Sequence, residues 1–362
     1  MNTNSLIKKI LLLLIVVIYF FIIIEVIFIL FNNSENADTI NLELPKYGPE
    51  SAWEESPYFS LKDVGDLNNK KVFRILNVGD SVVEGNCPDS SYLEELLDEN
   101  SDLIRLMNKK IKKFDVINAG LGGTSIYTQI SIFNISKDVI KPDLVILNTG
   151  WNAHWYKSPT PCQVHNCYEP DETEFSNFLK NFTLQSCRVC NYFSNIAADK
   201  IRMAQLEKCT QEILNSPDKF LEGIDHYDTN IYRVEINDFK KRLVEFITIA
   251  RENDIQIILT TPPTGLIQGE APFMSILDCV FIDAESYYTV HQMYMDIIRE
   301  VAIEQDIYLI DLDKTFTSMD RDEYFDDPDF DPIHVNINGQ RFCTEEFNKY
   351  LNDEYKDVII NN

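Results

Sequence analysis

The sequence is short of positive charge, of histidine and of any repeated pattern. Lysine and arginine together number 32 against 58 aspartates and glutamates, a formal net charge of −26 over 362 residues. A surface of that sign repels phosphate backbones, which excludes nucleic acid as a partner. It also argues against docking on anionic lipid headgroups through a basic face. Solubility is its simplest consequence. No internal repeat or low-complexity tract occurs, so nothing points to a solenoid or a disordered array. Only five histidines are present, so any imidazole chemistry rests on few positions. No small-residue, Ala-x-Ala-like stretch follows the N-terminal apolar run, which argues against a cleaved leader.

That apolar run is the first positive feature. Residues 10–31 are almost wholly Ile, Leu, Val, Phe and Tyr, with Glu25 the only charge. About 20 such residues span a bilayer core as a helix. Lys8 and Lys9 precede the run, and Glu35 and Asp38 follow it. The positive-inside rule then expects residues 1–9 to be a cytoplasmic tail and 10–31 a single-pass signal anchor, with the body outside. Cleavage is the alternative reading.

The cysteines bear on the same question. Five of the eight (Cys162, Cys167, Cys187, Cys190 and Cys209) crowd into one segment, while Cys87, Cys279 and Cys343 are dispersed. An even count in an exported chain favours disulfides, whose pairing the sequence leaves open. Cys162-x-x-His165-x-Cys167 with Cys187-x-x-Cys190 has enough ligands for structural zinc. Free thiols are the third possibility, and the topology favours disulfides. No catalytic metal or cofactor is expected.

Residues 32–70, polar and carrying Pro45, Pro49 and Pro57, read as a linker. An alternation of strands and helices follows over 71–355. Strands are expected at 72–78, 114–117, 144–147, 255–260 and 308–310. Helices are expected at 92–112, 126–140, 231–253, 285–304 and from about 338 to 355. A cysteine-rich, aromatic insertion or cap interrupts the pattern at about 153–230. Five strands alternating with helices imply an α/β fold, a parallel sheet covered on both faces in a three-layer α/β/α sandwich. In such sheets a ligand sits beyond the carboxyl ends of the strands. Ser81, Gly122-Gly123, Asn152 and Pro262-Pro263 all fall just after expected strands.

Two short motifs carry the chemistry. Gly79-Asp80-Ser81 follows the first strand, and Asp331-Pro332-Ile333-His334 precedes the last helix. A serine needs a base to take its proton, and that base needs a partner that fixes its tautomer. An Asp three residues before a His lets the carboxylate reach Nδ1 while Nε2 points at Ser81. Asp326, Asp327 and Asp329 are weaker candidates for that carboxylate. Asn152 and Gly123 are candidate oxyanion donors, beside the N–H of Ser81 itself. Taken singly, each of these has a bland reading, as a helix cap, a surface loop or a strand-end turn.

Gly79-Asp80-Ser81-x-x-x-Gly85, Asn118-Ala119-Gly120-x-x-Gly123, Gly150-x-Asn152 and Asp331-x-x-His334 resemble, in this order, the conserved blocks of the SGNH, or GDSL, hydrolase family. The resemblance spans about residues 71–355 without the insertion. It implies a flavodoxin-like five-stranded sheet. It also implies Ser81 as nucleophile and oxyanion donor, Gly123 and Asn152 as further donors, His334 as base and Asp331 as its orienter. His334-Val335-Asn336-x-x-Gly339 is also similar to the family. Ala153 stands where many members carry Asp, and Gly122-Gly123 offers two positions for one glycine.

The expected function is a membrane-anchored serine ester hydrolase, a carboxylic ester hydrolase acting on O-acyl, chiefly acetyl, esters of extracellular or envelope carbohydrate. The alternatives are a lipid or lysophospholipid esterase, an O-acetyltransferase using the same triad, and a non-catalytic glycan-binding or assembly factor. For the last, Trp151, Trp155, Tyr156, Tyr168, Phe175, Phe178 and Phe182 offer an aromatic surface, although structural packing is their commoner fate.

Overall fold

A computed structural model of the chain describes residues 40–43, 58–62, 64–100, 111–157, 225, 227–269, 284–329 and 331–353. The expected anchor at 10–31 and six of the eight cysteines lie outside these residues, as does most of the insertion. Among the described residues no helix is long and apolar enough to cross a membrane.

Part of the segment read as a linker is in fact structured. β1 (Ile40–Glu43) and β2 (Tyr58–Leu61) form an antiparallel pair. Leu61 is fully buried, and Lys62 bridges to Asn118 in the main sheet. Ile40-Asn41-Leu42-Glu43 and Tyr58-Phe59-Ser60-Leu61 are too short and too mixed to stand out among the prolines and polar residues around them.

The main sheet has five parallel strands: β3 (Val72–Gly79), β4 (Lys113–Gly120), β5 (Leu144–Asn148), β6 (Gln256–Thr261) and β7 (Tyr308–Asp311). Their spatial order is β4-β3-β5-β6-β7. Counted within this sheet, that is the 2-1-3-4-5 order of flavodoxin-like folds, with its switch point between β3 and β5. β3 and β5 are buried along their whole length. Nearly continuous apolar runs of this kind belong to strands covered on both faces.

The helices supply that cover. α1 (Ser81–Glu84) and α2 (Ser90–Glu99) follow β3, and α3 (Ile126–Ile140) leads from β4 to β5. α4 (Ile236–Glu252) precedes β6, and α5 (Ala284–Glu304) joins β6 to β7. α6 (Leu312–Thr317), α7 (Arg321–Tyr324) and α8 (Ile337–Asp353) are the last described helices. α4 buries Phe239, Leu243, Phe246, Ile247 and Ala250, steps of three and four that make one face. It packs against α3 and α5, with Phe246 stacked on Phe133 at 4.5 Å. α2 packs on β4 and against α8.

Two helices differ from expectation. α2 stops at Glu99, where the N–H of Asn100 closes on the carbonyl of Leu97; residues 101–110 lie outside the described residues. α4 begins at Ile236 rather than 231, because the Glu235 side chain accepts from the N–H of Asp238 and caps the helix there. The residues before it make a tight turn, Thr229–Ile231, and then an extended clip. In the clip, Arg233 N–H donates to the carbonyl of Trp155 (2.7 Å), Val234 N–H to Ala153 (3.1 Å) and Lys157 N–H to Ile231 (3.0 Å). The two ends of the insertion are thus tied together beside the end of β5.

Candidate active site

The site lies at the carboxyl ends of β3, β4 and β5, where the strand order reverses. β3 delivers the chain into α1 with Asp80 as helix cap, its carboxylate accepting from the N–H of Val82 at 3.0 Å. Ser81 is therefore the first helical residue, and its own N–H has no acceptor within the helix. β4 closes on α1 from the side. A Cβ on Gly120 would sit 2.2 Å from the backbone nitrogen of Glu84, so only glycine permits this approach.

His334 reaches Ser81 from the loop before α8. One oxygen of Asp331 accepts from the N–H groups of Ile333 (3.0 Å) and His334 (3.1 Å), which folds the loop into a tight turn. The other oxygen accepts from His334 Nδ1 at 2.7 Å. His334 Nε2 then lies 2.8 Å from Ser81 Oγ. One carboxylate thus shapes the loop and orients the ring, which is the physical content of the Asp-x-x-His spacing. Asp329 is paired with Arg321 at 2.5 Å, and Asp326 and Asp327 are exposed.

Electrostatics follow from these contacts. The hydrogen bond from Asp331 raises the His334 imidazole above its usual value, against the opposing effect of burial. Burial pushes on Asp331, but its bond to His334 outweighs this and holds the carboxyl below the ordinary range. Asp80 is fully buried, and burial pushes its carboxyl up to about 6.

The expected oxyanion donors are placed differently from one another. The Gly122 N–H is taken by Glu84 Oε2 at 2.8 Å. The Gly123 N–H has no acceptor among the described residues, and Gly123 adopts φ +72°, a left-handed conformation that favours glycine. Of the two glycines, Gly123 is the one with a donor to offer. Asn152 departs from the expectation. Its amide donates to Asp80 Oδ2 (3.2 Å) and to the carbonyl of Thr124 (3.1 Å), so both of its protons are in use. Asn152 here ties the end of β5 to Asp80 and to the loop after β4.

Behind Asn152 lies a buried polar stack. Trp151 packs on the His291 ring at 4.2 Å and donates to the carbonyl of Pro263 at 3.3 Å. His154 Nε2 lies 3.0 Å from His291 Nδ1, and His291 Nε2 lies 3.3 Å from Asp313 Oδ1. Burial holds His154 well below the usual imidazole range, so it is neutral. Two of the expected aromatic-surface residues, Trp151 and Tyr156, are buried packing residues. Trp155 is half-buried beneath the Arg233 guanidinium. Tyr168, Phe175, Phe178 and Phe182 lie outside the described residues. Among the described residues no group of three His, Cys, Asp or Glu side chains is arranged to hold a metal ion, and the candidate zinc cysteines lie outside them.

Glu84, Arg233 and His291 were not legible as site residues. Glu84 lies one helical turn beyond Ser81, which is a signal for proximity. Arg233 and His291 are remote in sequence, and only the sheet topology brings them near.

The chemical capacity of the arrangement is plain: a serine hydroxyl, an oriented imidazole and unpartnered backbone N–H groups converge beyond the sheet. The family model of the GDSL-like lipase/acylhydrolases matches residues 78–342. No curated protein matches the chain by sequence. Among solved structures it is similar to a catalytic mutant of the acetylxylan esterase Axe2 from Geobacillus stearothermophilus, with 12% identity and a TM-score of 0.42 over 78% of this chain and 95% of that one. It is also similar to a lipase/acylhydrolase from Enterococcus faecalis, with 15% identity and a TM-score of 0.42 over 77% and 95%.

Proposed function

The chain belongs to the GDSL-like lipase/acylhydrolase family and is a carboxylic ester hydrolase, and from that premise we propose that Ser81, His334 and Asp331 are its catalytic triad. The observation that carries this reading is the continuous chain from Asp331 Oδ2 through His334 to Ser81 Oγ, with links of 2.7 and 2.8 Å. Ser81 Oγ attacks the ester carbonyl while His334 Nε2 takes its proton. The negative charge forming on the carbonyl oxygen is met by the N–H groups of Ser81 and Gly123. The C–O bond breaks as His334 returns the proton to the leaving alkoxide. A water, deprotonated by the same imidazole, attacks the acyl carbon; the bond to Ser81 Oγ breaks as His334 returns that proton to Oγ, and the acid leaves. Asp331 keeps the imidazole in the correct tautomer and stabilises its charged form. Asn152 acts in this scheme by holding Asp80 and the loop after β4.

The substrate we infer is an O-acyl, chiefly acetyl, ester of extracellular or envelope carbohydrate, with the body displayed outside a membrane by residues 10–31. The length and flanking charges of the apolar run support the anchor. The Cys87–Cys343 bond is in keeping with an oxidising compartment. The test is a substrate panel on the purified body from about residue 35. Acetate release from O-acetylated glycans, with p-nitrophenyl acetate turned over faster than long-chain esters, is the expected outcome. Preference for lysophospholipid or long acyl chains would overturn the carbohydrate reading. Transfer to an added glycan hydroxyl in place of hydrolysis would make the protein an acyltransferase.

A further inference from the structure

The loop after β4 is the part of the site with least packing of its own. Gly122 and Gly123 are both exposed, and a Cβ on Gly123 would meet nothing within 4 Å. A glycine pair without side-chain contacts has wide backbone freedom, whereas an oxyanion donor must be held in one direction. What holds it is a series of hydrogen bonds along the loop. Gly120 N–H donates to Asn118 Oδ1 (2.9 Å) and Leu121 N–H to the carbonyl of Gly79 (3.1 Å). Gly122 N–H donates to Glu84 (2.8 Å), and the carbonyl of Gly123 accepts from Arg233 Nη1 (2.9 Å). The carbonyl of Thr124 accepts from Asn152 (3.1 Å). Between Glu84 and Arg233 lies a single peptide plane, that of Gly122 C=O and Gly123 N–H. The peptide units on either side of it are pinned, and its own N–H has no acceptor among the described residues.

We propose that Glu84 and Arg233 are positioning residues that clamp this peptide from opposite ends and so aim the Gly123 N–H at the developing oxyanion. The inference rests on the triad reading above. Both pins are themselves fixed. Glu84 sits on α1, one turn from Ser81, so it ties the loop to the element that carries the nucleophile. Arg233 is held by its backbone bond to Trp155 and by its guanidinium lying 5.1 Å from the centre of the Trp155 ring. The clamp also explains why the clip at the base of the insertion lies beside the sheet end: it delivers Arg233 across 110 positions of sequence to Gly123.

The test is steady-state kinetics on p-nitrophenyl acetate, after wild-type protein has been shown to label at Ser81 with a fluorophosphonate. Arg233→Met and Glu84→Ala should each lower kcat about tenfold or more with KM within about twofold, because a misaimed donor weakens the transition state more than the bound ester. Glu84→Gln keeps an oxygen for the Gly122 N–H and should recover most of the Glu84→Ala loss. The double variant should fall little below the slower single variant, since either change releases the same peptide. If wild type labels at Ser81 but both single variants keep their kcat, the clamp is wrong and the triad stands. A raised KM with kcat retained in Arg233→Met would make Arg233 a substrate contact and overturn the clamp. Absence of labelling in folded wild type would overturn the triad reading itself. Should Arg233→Met fail to fold, the Glu84→Ala and Glu84→Gln pair decides alone, because their difference is a kinetic rescue.

Discussion

At the scale of single residues, the account turns on three titrating groups. His334 must be neutral to act as base, and its bond to Asp331 raises its pKa above the usual imidazole value. Ester hydrolysis should therefore fall away as pH drops through that raised value. Asp331→Asn removes the cause of the shift. The acid limb of the kcat/KM profile should then move to lower pH, and the plateau should drop by roughly three to four orders of magnitude. A pH–rate profile of the two proteins checks both. Asp80 has the opposite relation to stability. Burial raises its carboxyl from 3.8 to about 6, so an ionised Asp80 disfavours the folded state. That cost is complete above about pH 6 and vanishes below 3.8, where both states are protonated. Asp80→Asn removes this titration but sets an amide N–H against one of the two donors at every pH, so relative to wild type it should gain up to about 3 kcal/mol between pH 4 and pH 8, as read from denaturant melts. A variant equally stabilised at both pH values would contradict the assignment.

At the scale of elements, the close packing of α1 against β4 is the feature most open to test. A methyl on Gly120 would press on the backbone of Glu84, with 2.2 Å to its nitrogen. Backbone cannot rotate out of the way, so α1 and Ser81 must move. Gly120→Ala should cost about 1–3 kcal/mol and lower kcat at least tenfold; thermal melting and ester turnover measure the two effects. Elements were legible in the sequence where one local signal set their limits. α3 runs from Ile126 to Ile140 as expected, and β3 follows from an apolar run interrupted only by Arg74 and Asn77 and ended by Gly79. The sequence starts α4 five residues early because its cap is a Glu, a weaker signal than Ser, Thr, Asp or Asn. β1 and β2 were missed because a four-residue strand is specified by its partner rather than by its own pattern. The Asp331 turn and the start of α1 at Ser81 are readable because each is local. The amide contacts of Asn152 and the reach of Arg233 are not, because both depend on which strands are neighbours.

At the scale of the whole molecule, the triad is assembled from the two ends of the domain, and the structure braces those ends against each other. Cys87, six residues beyond Ser81, is bonded to Cys343, nine residues beyond His334, across a sequence separation of 256. Asp89 N–H donates to Thr344 Oγ1 at 2.9 Å, and Asn100 Nδ2 to Asn352 Oδ1 at 2.7 Å, which continues the seam between α2 and α8. A bridge that closes so long a loop restricts the unfolded chain, and its loss should cost about 2–4 kcal/mol. Cys343→Ser should therefore lower the urea midpoint under oxidising conditions, and with reducing agent present wild type and variant should melt at the same midpoint. The central claim, that this molecule presents an activated serine, is tested most directly by intact-mass analysis after fluorophosphonate treatment of wild type, Ser81→Ala and His334→Ala. One adduct is expected on wild type, mapping to Ser81, with none on either variant. Labelling that persists in Ser81→Ala, or a folded wild type that takes up no probe, would contradict it.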